Sequence, residues 1–373
     1  MDKRIILAVA GAGKTYHICH SIDPRKRNLI LAYTHENIYN IKNELMDAHG
    51  QVPELTTVMT FDSFVYRYFI CPYEPTIVEH FGRDGFRSKG ITTVDPPSKT
   101  IQRNGRSIAN PRYKNKDQFE HYITNGNQYY CSTISELVMY IKRGKESLIK
   151  RGAARLNLFY DQILIDEFQD FREHDYELII GLSKLLNAVL LVGDYYQHSV
   201  SAINNSGKPF KNKKKDIGYI DFVNELKRLK FNIDENTLSK SRRCSKGICT
   251  FVKSKLGINI ESTEYNTGEV RWVSEDQIDE ILQNPQILKL VYSEAANYSF
   301  KAMNWSYSKG DTVSTACVIL TEKFEKLDDE GFSLEGIPVP TINKLYVAMT
   351  RSKGDLFLIK ASAFKKYKNA YSV

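Results

Sequence analysis

Apolar residues in this chain come in short blocks rather than in alternation. Ile5-Ile6-Leu7-Ala8-Val9 is the first block, NLILAY (28–33) the second and LTTVMTF (55–61) the third. Stretches with helical spacing separate them, one from Lys14 onward and one over 37–47. Unbroken Ile/Leu/Val runs of this length predict strands buried on both faces, and their alternation with helices predicts a parallel α/β sheet. The rhythm stops at residues 71–130, which are rich in Pro, Gly, Asn and Arg and read as an insertion, with a helix expected near 133–148. It resumes at QILIDE (162–167) and AVLLVGD (188–194), and a basic stretch, 211–216, precedes an amphipathic helix at 217–230. A second α/β unit follows, with strands near 269–273, 288–292, 315–320 and 355–360. No apolar run nears the ~18 residues of a membrane span. The opening MDKRIILAVAGA has too short an apolar stretch for a secretory leader, so a cytoplasmic protein is expected.

Composition changes this picture in one place. The chain has 373 residues, 26% of them charged and 42% hydrophobic, with a net charge of +8. Residues 71–155 hold 15 Lys and Arg against 8 Asp and Glu, so +7 of that charge falls in the insertion. Its basic residues alternate with Tyr73, Phe81, Phe86, Tyr113, Phe119, Tyr122, Tyr129 and Tyr130. Cations for phosphates and ring faces for bases are the composition of a nucleic-acid surface, although a solvated charged face gives the same count. The six cysteines are scattered without a CxxC pair and read as reduced, buried thiols.

Two short motifs carry the chemistry. AVAGAGKT (8–15) lies between a predicted strand and a predicted helix. In such a turn the backbone of Ala10, Gly11, Ala12 and Gly13 wraps a phosphate, Lys14 neutralises it and the Thr15 hydroxyl meets Mg²⁺. ILIDEFQD (163–170) ends a buried strand in carboxylates, which are costly there unless a cation lies among them. Asp166 is therefore the expected second Mg²⁺ ligand, and Glu167 the base that orients the attacking water, with ATP as substrate.

The ordered set of motifs resembles the UvrD/Rep-like superfamily 1 helicases. AVAGAGKT is similar to the family's AxxGxGKT loop, and IDEFQD to its DExxD box. LAYTHENIYNIKNEL (31–45) and TFDSF (60–64) are similar to its strand-contacting motifs, with Asp62 where His is usual; VGDYYQ (192–197) looks like GDxxQ. LSKSRR (238–243), YSKGDTVSTACVIL (307–320) and LYVAMTRSKGDL (345–356) resemble the motifs of the second half, with Thr312 where an acid is usual. The resemblance implies an α/β chain of two RecA-like P-loop NTPase domains: a first motor domain over 1–70 and 156–232, a basic insertion at 71–155 and a second motor domain over 233–373. Only 65 residues separate Arg243 from Lys309, so a large second accessory domain is not expected.

The resemblance also assigns roles. Gln197 senses the γ-phosphate, Arg243 and Arg351 act as fingers on it, and Thr312 lies near the ribose. Thr34, Asn37 and Thr60 contact a single strand, with Phe61, Phe64 and Trp305 as candidate stacking rings. An ATP-dependent DNA helicase or single-strand translocase follows, with 3′–5′ polarity suggested by the family. Two other readings stay open: a DNA-stimulated ATPase subunit that powers a separate nuclease, and a degenerate nucleic-acid clamp. A nuclease or a replication or defence protein is the partner these readings imply.

Overall fold

The computed structural model describes residues 2–143, 146–198, 209–212 and 215–373, so part of the basic stretch 211–216 lies outside the described residues. The chain groups into two compact units. One comprises Met1–Ile5, Thr15–Val192 and Ser201–Ile233; the other comprises Ile6–Lys14, Gly193–Val200 and Asp234–Val373.

Along the chain the elements begin with β1 (Asp2–Leu7), α1 (Lys14–Ser21), β2 (Asn28–Ala32), α2 (His35–His49) and β3 (Thr56–Thr60). All five residues of β2 are buried, as a strand covered on both faces requires. Thr34 caps α2 by accepting from the Asn37 N–H, and Gly50 ends it in the left-handed region at φ 77°. The insertion contributes an antiparallel hairpin, β4 (Thr100–Arg103) and β5 (Arg106–Ala109), turned at Asn104-Gly105 with both residues at positive φ. All eight strand residues of that hairpin are exposed.

The helix expected at 133–148 is two helices, α3 (Ile134–Tyr140) and α4 (Leu148–Phe159). Ile141 leaves α3 in an extended conformation, residues 142–143 and 146–147 pair antiparallel, and the Ser147 hydroxyl caps α4. A second expectation also changes in the insertion. Phe119, Tyr122, Tyr129 and Tyr130 are buried and form its small core, so they hold the insertion together and offer no ring face to a base.

The sheet resumes with β6 (Gln162–Asp166), α5 (Glu173–Ser183), β7 (Ala188–Gly193), α6 (Tyr219–Arg228) and β8 (Asn232–Asp234). Its order is β8-β1-β7-β6-β2-β3, with the pairings from β7 through β3 parallel and Leu164 opposite Ile30 and Leu190.

The other unit holds β9 (Val270–Trp272), β10 (Leu288–Val291), β11 (Ala302–Asn304), β12 (Ala316–Ile319) and β13 (Leu356–Ile359), all parallel in the order β9-β13-β12-β10-β11. The sequence pattern did not show β11. Helices α7 (Lys246–Leu256) and α8 (Val339–Met349) belong to this unit, and α8 buries most of its length. Among the described residues no helix is long and apolar enough to cross a membrane. All six cysteines are free, five of them buried.

Candidate functional site

The first unit carries the acid box. β6 ends at Asp166, which is 2% exposed, and its Oδ2 accepts from the Thr15 hydroxyl at 2.6 Å. The other carboxylate oxygen accepts from the Glu167 N–H at 2.9 Å. Glu167 itself stands in the left-handed region at φ 55°, a conformation that costs a non-glycine residue energy and turns the chain sharply off the strand. Gln169 donates its amide to the Glu167 carboxylate, so the acid is held by a neighbour two positions on. A hydroxyl and a carboxylate meeting at this distance are hard oxygen donors of the kind Mg²⁺ takes, and the donor set fits that ion.

In the second unit the phosphate loop meets the arginine-bearing segment. Gly11 and Gly13 have φ of 71° and 83°, which glycine alone adopts without strain. The Gly11 carbonyl accepts from the Arg242 N–H at 2.9 Å, and the Val9 N–H donates to the Leu238 carbonyl at 3.0 Å. A Cβ on Gly11 would lie 2.5 Å from the Cβ of Arg243. Arg243 donates to the Thr350 carbonyl at 3.2 Å, next to Arg351 in sequence. Arg351 is 1% exposed, and its guanidinium donates to the carbonyls of Val347 and Ser308 at 2.8 and 3.1 Å. Burial, and then the positive charge of Arg243, push its pKa down to about 10, which still leaves it protonated at neutral pH.

Sequence and structure comparisons bear on this arrangement. The family described as the UvrD/REP helicase N-terminal domain matches residues 92–199, a stretch that includes the acid box and GDYYQ. That match covers less than a third of the chain and likens this stretch to the N-terminal domain of those helicases. Among solved structures it is similar to the helicase nonstructural protein 10 of an arterivirus in complex with DNA, at 13% identity and TM-score 0.44 over 96% of this chain and 61% of that one. A crystal structure of arterivirus nonstructural protein 10 matches at 13% identity and TM-score 0.44 over 96% and 59%, and the helicase of PRRSV at 14% and 0.43 over 96% and 52%. The chain spans roughly half to three-fifths of the length of these helicases. No curated protein matches it in sequence.

Of the strand-contacting residues expected from the sequence, three are corrected. Phe61, Phe64 and Trp305 are each 0% exposed. Phe61 packs its ring against Phe171 at 4.7 Å and Phe64 against Phe69 at 5.6 Å, while the Trp305 indole donates to the Leu290 carbonyl at 3.0 Å. Rings used this way are core and offer no face to a base. Thr34 and Asn37 hydrogen-bond each other at the start of α2 and are not buried, whereas Thr60 is buried and caps the next short helix through Ser63. Thr312 is exposed. Gln197 is 3% exposed in the turn after β7.

Two residues that sequence reasoning passed over hold prominent positions. The Tyr346 hydroxyl accepts from the Ala10 N–H of the phosphate loop at 2.8 Å and donates to Asp194 Oδ2 at 3.2 Å. One phenol thus links the loop, the GDxxQ segment and α8. Burial and the Asp194 charge raise its pKa well above the usual range, so it remains a donor. LYVAMTR was read for its arginine, and the tyrosine five positions earlier passed as core. The other residue is Arg172, two positions beyond Asp170. It is 8% exposed, pairs with Asp62, and donates to Asp175 at 2.5 Å. Burial raises the Asp62 pKa while Arg172 pulls it back. An aspartate at the place of the usual histidine was the signal that a cation stands beside it.

Proposed function

We propose that this chain is an ATP-driven motor on single-stranded DNA, a helicase or translocase of 3′–5′ polarity, built from motor domains over 1–70 with 156–232 and over 233–373 and an insertion at 71–155. The observation that carries the reading is the contact of the Gly11 backbone with the Arg242–Arg243 segment. Arginines more than 200 positions away in sequence are brought to the loop shaped for phosphate, where two guanidinium groups repel each other unless a polyanion lies near. Lys14 and Thr15 are consecutive, so the loop is covalently common to this cluster and to Asp166 and Glu167. Ala10 through Thr15 cradle the β- and γ-phosphates. Thr15 and Asp166 would hold Mg²⁺, which when bound neutralises phosphate charge. Glu167 takes the proton of the attacking water, Gln197 bonds the γ-phosphate, and Arg243 and Arg351 stabilise the charge that develops on it. Thr312 lies at the ribose in this reading, and Thr34, Asn37 and Thr60 touch the strand.

The basic insertion supports a nucleic-acid track, with Arg103 and Arg106 at the tip of an exposed hairpin. The test is ATP turnover with single-stranded DNA, duplex DNA and RNA at two salt concentrations, beside a strand-displacement assay. Stimulation by single strands that weakens steeply with salt, and weakens less steeply in Arg103→Ala/Arg106→Ala, is the expected result. Turnover indifferent to every nucleic acid overturns the reading. Stimulated turnover without strand displacement favours the second reading, a subunit that powers a separate nuclease.

A further inference from the structure

A cavity of about 610 Å³ opens in the first unit, where the C-terminal ends of β2 and β3 face the insertion. This is within the ~300–1,000 Å³ range of small-molecule sites. Tyr33, Thr34, Asp62 and Arg172 line it from the sheet side, and Asp95 and Ser132 from the insertion. The Ser132 hydroxyl is buried and has no hydrogen-bond partner in the protein, so a donor or acceptor from outside would satisfy it. Arg172 brings the single guanidinium to the wall, but it is paired with Asp62 and Asp175 and lies 5.5 Å over the Tyr33 ring. With Asp95 also on the wall, the charge balance is negative, and a phosphate is repelled. A neutral, flat, amino-bearing group is accepted: it fits within the space, and its N–H meets a carboxylate with lone pairs to spare.

The geometry points to this cavity as the seat of one nucleobase of the bound strand, with Asp62 selecting bases that carry an exocyclic amino group. The inference rests on the strand-binding reading above and deepens it, because a family position where histidine is usual here holds an acceptor in place of a donor. Cytosine and uracil test it directly. They have the same shape, but an amino donor on one is replaced by a carbonyl acceptor on the other, and the carbonyl would face Asp62 with like partial charge.

The experiment compares oligo-dC with oligo-dU of equal length for binding, by fluorescence anisotropy, and for the concentration giving half-maximal ATPase stimulation. Oligo-dC is expected to act at about tenfold lower concentration, the scale of one hydrogen bond to a charged acceptor. In Asp62→Asn the amide can donate as well as accept, so the two strands should fall within about twofold of each other. An oligo-dC methylated twice at N4 gives the same readout in the unaltered protein: it should behave like oligo-dU, which keeps the test sound if the variant does not fold. Equal action of dC, dU and methylated dC, with ATPase stimulation intact, overturns the base seat and leaves the motor reading standing. Absence of stimulation by any strand removes the motor reading itself.

Discussion

The two sheets share a strand order and differ in everything at their ends. Numbering strands by their order within each sheet, the first runs 6-1-5-4-2-3 and the second 1-5-4-2-3. In the first sheet strand 1 leads into the glycine loop, strand 4 into Asp166-Glu167 and strand 5 into Asp194. In the second, β9 leads into Val273-Ser274-Glu275, and β12 into Leu320-Thr321-Glu322, with Glu322 exposed. The arginines near the second sheet come before its strands in the chain: Arg351 precedes β13 and Arg243 precedes β9. A common strand order therefore carries different residues, a glycine loop and carboxylates where the strands of the first sheet end and arginines ahead of the strands of the second.

The sharpest way to break this comparison is at the loop. Lys14→Ala is expected to reduce ATP turnover to background, measured by phosphate release. Retained turnover would mean the glycine loop is no more than a tight turn. Arg351→Lys keeps the charge and loses the planar fork, and Arg243→Ala removes a half-buried cation; each is expected to lower kcat by roughly 10³–10⁵ with nucleotide binding largely kept. A fall confined to KM would place these arginines in binding alone.

Next come the strand-4 exits. Glu167→Gln should cut kcat by about 10²–10⁴ while ATP still binds, the size expected of a lost general base. Glu322→Gln, the matching exit in the second sheet, should leave kcat within about twofold. Equal losses in both would erase the distinction between the sheets.

Glycines sharpen the comparison further. A Cβ on Gly268 would lie 2.0 Å from the Gly354 carbonyl oxygen, inside the second unit's own packing. Gly268→Ala should therefore lower stability by about 1–3 kcal/mol, seen as a drop in Tm. Gly11→Ala meets Arg243 and a φ of 71°, and the cost of about 1–3 kcal/mol falls on the loop: ATP affinity and kcat should suffer more than Tm.

The buried strands of both sheets were legible because burial on two faces leaves unbroken apolar runs, and the short strands β8 and β11 were not; β2, β6, β10 and β12 each lie within a residue or two of the expected bounds. The loop and acid box were legible for a different reason, since few residue types tolerate φ near 71° or a carboxylate at a buried strand end. What failed were the aromatics. Phe61, Phe64 and Trp305 sit among polar motif residues, and sequence does not say on which side of a short turn a ring falls. Tyr122 and Tyr129 mislead likewise, because a small insertion needs large rings to make any core at all. Tyr346 was hidden inside an apolar helix, where a hydroxyl reads as core until its partners are known.

Tyr346 offers the finest cut. Tyr346→Phe keeps the ring and its contact with Tyr196 but removes the oxygen that accepts from Ala10 and donates to Asp194. Each lost hydrogen bond is worth about 0.5–1.5 kcal/mol, and the loop N–H that loses its acceptor here is buried. If the phenol aligns the loop with GDxxQ, kcat falls about tenfold and KM for ATP changes little, because only Ala10 of the phosphate-wrapping backbone loses a partner and Gly11 to Thr15 are untouched. If it only fills space, kcat and KM both stay put and any loss appears in Tm. Tyr346→Phe with unchanged kcat would return this residue to the core and leave Arg351 as the residue of the LYVAMTR segment that turnover depends on.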